Sequence, residues 1–222
     1  MNQFKKVAFY TLGCKLNFSE TSTISRLFQD AGIAKVNFEE HPDIYVINTC
    51  SVTENADKKC RQLVKKAKRV NSASFVIIVG CFAQLKPTEI SKMEGVDMVL
   101  GANEKFNVLE HLDRLDEKNK HAIVSFDNIK KTKEFVPSYS IGDRTRSFLK
   151  IQDGCDYFCT FCTIPLARGK SRNASIAETL MEAKKIAAKD VKEIVLTGVN
   201  IGDFGQGGQE NFFSLVKVLE TV

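Results

Sequence analysis

The chain has 222 residues, of which 43% are hydrophobic and 27% charged, and its formal net charge is +5. This composition is that of an ordinary globular protein, and the mild positive charge permits but does not require a polyanionic partner. No apolar run approaches the roughly 20 residues of a membrane-spanning helix, and the N-terminus lacks a signal-peptide layout. We therefore expect a cytoplasmic protein that does not bind membranes.

The first half of the sequence alternates apolar runs with amphipathic segments. The runs "KVAFYTLGC", "DIYVINTC" and "SFVIIVGC" predict three buried strands, and "VDMVLG" and "HAIVSF" predict two more. Helical patterns lie between them. This alternation predicts an α/β fold with a doubly wound, mostly parallel sheet over residues 1–126.

Local signals mark where the helices of this half begin. Asn17 and Glu20 have the spacing of a capping pair, and so do Ser51 and Glu54. Pro87 suits the first turn of a short helix. We therefore predict helix starts at these three places.

The polar segment 127–146 breaks the alternation and is predicted to be a linker. A second unit, 147–222, begins with the strand-like "SFLKIQDGC". Ser175 and Glu178 form a further capping box before a helix predicted over 176–189. The strand "KEIVLTG", the glycine-rich "VNIGDFGQGGQ" and the start of a final helix follow.

Three cysteines each follow a predicted strand by no more than a residue or two: Cys14, Cys50 and Cys81. Because the C-termini of parallel strands lie along one edge of a sheet, where ligands bind, the three thiols should converge. Three thiolates are too few for a closed structural zinc site. They suit an iron–sulfur cluster with one open iron, or zinc with a further ligand; the alternative is three buried thiols at strand ends.

Cys60 belongs to a different pattern. It recurs with Leu63, Ala67 and Val70 at helical spacing, which indicates a core-facing structural thiol. The opposite face of this helix is basic and is interpreted as a solvated surface, with an RNA backbone as the alternative partner. Its cations are Lys58, Lys59, Arg61, Lys65, Lys66, Lys68 and Arg69.

A second group of three cysteines is compact. "DGCDYFCTFCTIP" places Cys155, Cys159 and Cys162 in a C-x₃-C-x₂-C run with no fourth cysteine after it. Three thiolates at this spacing can hold a cubane cluster and leave its fourth iron without a protein ligand, unlike bacterial ferredoxins, which supply a fourth cysteine. Such clustering in a reducing compartment indicates a metal site.

This run, with Phe161 before its last cysteine, resembles the motif of the radical S-adenosylmethionine (SAM) superfamily. The resemblance implies a cluster whose open iron binds SAM and whose electron cleaves it to methionine and a 5′-deoxyadenosyl radical.

Together with "TLGCKLN", "INTCSVTENA" and "VGC", the stretch "GCDYFCTFCTIPLARGKSR" resembles the methylthiotransferase family across nearly the whole chain. The resemblance implies a doubly wound N-terminal domain followed by the first part of a radical SAM (β/α) partial barrel. It also implies two [4Fe–4S] clusters, with SAM as the further cofactor. The auxiliary cluster would be held by Cys14, Cys50 and Cys81, and the radical cluster by Cys155, Cys159 and Cys162.

Within the family, "TLGCKLN" and "NTCSVT" are similar to the branch that methylthiolates carbon 2 of N6-threonylcarbamoyladenosine at position 37 of tRNA. Other branches act on isopentenyladenosine in tRNA or on an aspartate of a ribosomal protein. A tRNA substrate, a low-potential electron donor and a sulfur donor are the implied partners. Two alternatives from other functional classes are an iron–sulfur electron carrier and a zinc protein.

The resemblance implies SAM contacts at Phe161 and at the end of the strand "KEIVLTG". There Thr197, Gly198 and Asn200 are the candidates, with a simple tight turn as the alternative for the glycine. Basic residues after the second cysteine group are candidates for the SAM carboxylate or tRNA phosphate, or for a solvated loop: Arg168, Lys170 and Arg172.

Members of the family continue beyond the counterpart of Val222 through the rest of the barrel and a small RNA-binding β-barrel. We therefore expect a chain of these 222 residues not to turn over, even with both clusters bound. Robust methylthiolation of tRNA by it would contradict this expectation.

Overall fold

The computed structural model describes residues 4–50, 54–115, 122–142 and 145–222. In these ranges, none of the helices combines the length and the apolar character that crossing a membrane requires.

Among the described residues, the N-terminal half forms a six-stranded sheet in which every pairing is parallel. Its strands are β1 (Lys6–Thr11), β2 (Ala34–Lys35), β3 (Ile44–Thr49), β4 (Phe75–Gly80), β5 (Met98–Leu100) and β6 (Ile123–Ser125). Their order across the sheet is β2-β1-β3-β4-β5-β6. The predicted parallel sheet is confirmed.

Helices connect the strands, and the site depends on where they begin. They are α1 (Lys15–Asp30), α2 (Glu54–Val70), α3 (Cys81–Leu85), α4 (Pro87–Ser91) and α5 (Val108–Asp113), with a 3₁₀ helix at Glu104–Asn107. The predicted start at Pro87 is confirmed. The capping pair of Asn17 and Glu20 is wrong, because α1 begins earlier, after Cys14, and both side chains are buried inside it. The predicted cap at Ser51 lies outside the described residues.

Apolar side chains cover both faces of this sheet, as a doubly wound fold requires. All six residues of β3 are buried. Tyr45 and Ile47 belong to a core with the inner face of α2, whereas Ile44 and Val46 pack in a second core with α1 and α5. Cys60 is 0% exposed in the first of these cores, which confirms the core-facing thiol.

The second half forms two small sheets. Its strands are β7 (Ser138–Tyr139), β8 (Ser147–Lys150), β9 (Gln152–Asp153), β10 (Arg172–Asn173) and β11 (Ile194–Thr197), and its helices are α6 (Ile164–Arg168), α7 (Ile176–Ala187) and α8 (Phe212–Leu219). Strand β8 pairs in parallel with β11 and antiparallel with β7, and β9 pairs with β10. The capping box of Ser175 and Glu178 is confirmed at the start of α7.

The segment predicted as a linker carries β7, which packs against α1. Arg26 on α1 donates to the carbonyl oxygen of Tyr139 at 3.0 Å, and its guanidinium carbon lies 4.0 Å from the centre of the Tyr139 ring. The two halves are therefore in contact through this segment.

A buried ion cluster also joins the two halves. Glu20 on α1 is 0% exposed, and its two carboxylate oxygens accept from the Arg168 guanidinium at 3.0 and 3.3 Å. Lys105 lies 2.6 Å and Lys150 3.3 Å from the same carboxylate. Burial alone would raise the pKa of Glu20, but the three cations together lower it to about 2.

We expect Gly80→Ala to lower the free energy of unfolding by more than about 2 kcal/mol. Gly80 has φ +99, and a Cβ there would lie 2.4 Å from the side-chain oxygen of Asn48 and 2.6 Å from the carbonyl oxygen of Thr49. Gly32→Ala is the matched control, because φ is +81 but nothing lies within 4 Å; it should cost only about 1 kcal/mol. Equal losses in urea unfolding would contradict the crowding at Gly80.

We expect Glu20→Gln to be destabilising near neutral pH, by roughly 3 kcal/mol, and progressively less so in acid. Because the pKa of Glu20 is lower in the folded protein, acid protonates the unfolded state first. The stabilisation is therefore complete above about pH 4.5 and is lost as the pH falls towards 2. Urea unfolding of cluster-free protein across this range measures it. The exposed pair of Glu89 with Arg61 supplies the control Glu89→Gln, which should change little at any pH. A difference between Glu20→Gln and the parent that stays constant with pH would contradict the prediction.

Candidate functional site

Three predicted cysteines lie at the C-terminal edge of the six-stranded sheet. Thr49 of β3 is opposite Gly80 of β4, so the next residues, Cys50 and Cys81, leave the two strands side by side. Cys14 follows β1, the other neighbour of β3, and precedes α1. Cys81 is buried, Cys50 half-buried and Cys14 exposed, so this edge runs from the interior to the surface.

Asn17 holds this edge together. Its side-chain oxygen accepts from the Cys14 thiol at 3.2 Å, and its amide donates to the carbonyl oxygen of Thr49, directly before Cys50, at 2.9 Å. The same amide donates to the side-chain oxygen of Asn48 at 3.1 Å. Asn17 thus ties the loop after β1 to the end of β3.

The second cysteine group lies on the loop between β9 and α6. The Cys155 amide donates to the carbonyl oxygen of Gly169, and the Cys162 amide donates to that of Cys159, both at 3.0 Å. Cys159 is exposed, and Phe161 is 89% exposed. The loop therefore exposes Cys159 and its aromatic ring, whereas Cys155 and Cys162 are half-buried.

Gln152 joins this loop to the predicted SAM contacts. Its amide donates to the carbonyl oxygen of Gly154 at 2.8 Å, next to Cys155. Its side-chain oxygen accepts from the backbone amides of Val199 and Asn200, both at 2.9 Å. One buried glutamine therefore fixes the start of the cysteine loop relative to the turn after β11.

A cavity of about 700 Å³ lies between Cys14 at the sheet edge and the turn after β11, and none of the three loop cysteines is among the residues that line it. On one side it is lined by Gly13 and Cys14, and on the other by Thr197, Gly198 and Asn200. A Cβ on Gly13 would lie 2.9 Å from that of Cys50, so this wall of the cavity is packed directly on the second cysteine. Three of the predicted SAM residues thus face one of the predicted auxiliary ligands.

The prediction for Arg168 and Arg172 needs correction. Arg168 is 3% exposed, and its guanidinium is held by Glu20, Asp153 and Asn17, the last two at 2.9 and 3.0 Å. Arg172 donates to the carbonyl oxygen of Arg168 at 2.6 Å and to the Asp153 carboxylate at 3.2 Å. Neither guanidinium lies on a solvated loop; both belong to the buried ion cluster.

Sequence reasoning missed the polar residues that organise this site. Gln152, Lys150 and Asp153 are each buried, within a segment that was predicted only as a strand. A lysine and a glutamine in an otherwise apolar strand are a signal in themselves, because such side chains are rarely buried without partners. Glu20 and Lys105 gave no comparable signal, since charged residues are ordinary on helices.

The donor chemistry fits two iron–sulfur clusters. All seven cysteines are free thiols, including both groups of three. Burial raises the pKa of Cys81, and the nearby cations Arg168 and Lys105 act against that increase. Across the described part of the chain, no three His, Cys, Asp or Glu side chains already stand as a metal site.

The basic face of α2 is exposed, as predicted. Two of its cations pair on the surface, Arg61 with Glu89 and Lys66 with Glu39, and Lys68 lies 2.9 Å from Asp97. These pairs favour the solvated interpretation of that face.

Comparison with known proteins matches both halves. Residues 6–101 match the family described as "Uncharacterized protein family UPF0004", and residues 149–212 match the "Radical SAM superfamily".

Three relatives extend this similarity over nearly the whole chain. The Bacillus subtilis (strain 168) protein named "Threonylcarbamoyladenosine tRNA methylthiotransferase MtaB" is 42% identical over 97% of this chain and 48% of its own length. A protein of the same name from Aquifex aeolicus (strain VF5) is 38% identical over 96% of this chain and 52% of its own. The "tRNA-2-methylthio-N(6)-dimethylallyladenosine synthase" of Rickettsia rickettsii (strain Sheila Smith) is 28% identical over 97% of this chain and 51% of its own.

The chain spans about half the length of these curated relatives. The two matched regions of this chain span both of its cysteine groups. Both regions of the chain are therefore similar to radical SAM methylthiotransferases.

Proposed function

We propose that this protein transfers a methylthio group to carbon 2 of N6-threonylcarbamoyladenosine at position 37 of tRNA. The observation that carries the proposal is the cavity lined by Cys14 on one side and by Thr197, Gly198 and Asn200 on the other. The cavity supports the proposal because residues of the predicted sulfur-transferring edge and of the predicted SAM turn both line it. A reaction that needs both groups at one carbon atom requires such an arrangement.

The choice of adenosine rests on similarity. Two relatives named for threonylcarbamoyladenosine are 42% and 38% identical to this chain, whereas one named for dimethylallyladenosine is 28% identical. This order favours the first substrate. A base in a single-stranded tRNA loop can turn outward into the cavity, which is how RNA loops are commonly recognised.

Two [4Fe–4S] clusters and SAM are the proposed cofactors. Cys155, Cys159 and Cys162 would hold the radical cluster, and the three sheet-edge cysteines the auxiliary one. When bound, these groups supply the radical chemistry and the sulfur that carbon 2 needs, because its hydrogen is not acidic enough for a general base.

The protein's own residues position these groups. Gln152 fixes the cysteine loop against the turn that carries Asn200. Asn17 fixes Cys14 against the end of β3. Phe161 stands exposed beside the loop and offers a flat apolar surface to SAM. A low-potential electron donor, a sulfur donor and a cytoplasmic tRNA substrate complete the proposal.

The test is mass spectrometry of nucleosides from tRNA treated with the anaerobically reconstituted full-length protein and SAM. The mass of a methylthio group in place of hydrogen should appear on N6-threonylcarbamoyladenosine. Modification of isopentenyladenosine alone, or of a ribosomal-protein aspartate, would overturn the proposed substrate assignment. If the iron-loaded, reduced protein does not cleave SAM, the proposed enzymatic function is overturned in favour of an electron carrier. Stoichiometric zinc without iron would favour a zinc protein.

We expect Cys50→Ala to abolish methylthiolation and leave SAM cleavage largely intact, because Cys50 is proposed to hold only the auxiliary cluster. Bound iron should fall by about half. Cys60→Ala is the matched control: this thiol is 0% exposed in the core behind the sheet, and the change should spare both reactions at a cost of about 1 kcal/mol in stability. If Cys50→Ala loses SAM cleavage together with methylthiolation, the proposal that Cys50 holds only the auxiliary cluster is contradicted.

A further inference from the structure

Buried positive charge exceeds buried negative charge where the two halves meet. Within the described ranges, two carboxylates face four cations there, and each of the six side chains is at most 10% exposed. The six are Glu20, Asp153, Lys105, Lys150, Arg168 and Arg172. Burying charge without a counter-charge is costly, so a fold that keeps such a surplus needs a further anion nearby.

Lys105 shows the effect of the surplus. Its ammonium group lies 2.6 Å from Glu20 and is almost fully buried. Burial lowers its pKa, and Arg168 and Lys150 lower it further, against the opposite effects of Glu20 and Asp153. The lysine therefore sits in a region whose own carboxylates do not fully satisfy it.

The surplus faces the three-cysteine edge. The Arg168 guanidinium donates to the side-chain oxygen of Asn17 at 3.0 Å, and that oxygen accepts from the Cys14 thiol at 3.2 Å. Helix α6, which ends at Arg168, packs against α3, which begins at Cys81. Lys105 lies 2.6 Å from the same Glu20 carboxylate that Arg168 contacts.

We propose that Arg168 and Lys105 supply the counter-charge of an anionic cluster at Cys14, Cys50 and Cys81, with Arg168 also positioning Asn17 beneath it. This inference rests on the proposed function, because it takes the auxiliary cluster as the missing anion. Thiolate-ligated iron–sulfur clusters carry net negative charge, and the charge around them sets their reduction potential. The radical SAM half would then tune a cluster held by the other half.

A charge series tests the proposal. The background is the full-length protein with Cys155, Cys159 and Cys162 replaced by alanine, so that only the auxiliary cluster remains to be titrated. Arg168→Gln removes one positive charge from the surplus. Glu20→Gln removes one negative charge and so increases the surplus by one. The double variant has the same surplus of positive charge as the parent. The measurement is iron content and the reduction potential from a redox titration followed by electron paramagnetic resonance.

Reduction adds one electron, hence one negative charge, to the cluster. At a fixed potential, Arg168→Gln should therefore lower the ratio of reduced to oxidised cluster by about tenfold, and Glu20→Gln should raise it by a similar factor. The double variant should return close to the parent. If the ion pair were merely structural, the two single variants would not shift the reduction potential in opposite directions.

Arg26→Gln is the matched control. Arg26 also bridges α1 to the second half, through the carbonyl oxygen of Tyr139 at 3.0 Å, but it lies outside the ion cluster. It should weaken contact between the halves and leave the potential unchanged. Should Arg168→Gln fail to accumulate, Lys105→Gln removes the same charge and should shift the ratio in the same direction.

Two negative results have different meanings. If the background protein binds no iron, the auxiliary cluster does not exist, and both the proposed function and this inference fail. If iron is bound but the single variants shift the potential in the same direction, lose iron equally or do not shift it, this inference alone is overturned.

Discussion

The contact between Glu20 and Arg168 is the constraint on which the arrangement of the two halves depends. A carboxylate that is 0% exposed on the first helix is stable as an anion only with cations around it. The first half supplies Lys105, and the second half supplies Lys150 and Arg168. A buried ion pair contributes little net free energy when it forms, but removing one partner leaves an unpaired buried charge and is costly. The pair therefore specifies one relative placement of the halves more than it stabilises either half.

That placement is transmitted to the cysteines by the periodicity of α1. Cys14, Asn17 and Glu20 follow one another at intervals of three residues, so they lie near one side of the first two turns. Fixing Glu20 on Arg168 therefore also fixes Asn17, whose side chain contacts both Arg168 and Cys14. Helix α1, with Cys14 as its N-cap residue, is thus a rigid connection between the ion cluster and the edge of the sheet.

The sequence predicted the parts of this structure that repeat or lie close together in the chain. Apolar runs gave the parallel sheet, and the topology of such sheets placed Cys14, Cys50 and Cys81 at one edge. The sequence did not predict the ion cluster, because Asn17 and Glu20 have the same spacing whether they cap a helix or lie buried within it. The distinction depends on Arg168, which is 148 residues from Glu20 in sequence, and no local pattern encodes that pairing.

The two cysteine groups are built by different means, and this difference explains why polar residues must join them. The sheet-edge group comes from three strand ends far apart in sequence, whereas the loop group is a single short segment with its own turn. Neither contains a feature that sets its distance from the other. Gln152 holds the loop group against the turn after β11, and Arg168, at the end of the helix that follows the loop, is joined to the sheet-edge group through Asn17. Because the Gln152 and Arg168 side chains are themselves buried, replacing either one leaves its partners with unpaired polar atoms. The spacing of the two sites is therefore fixed by residues that ligate neither.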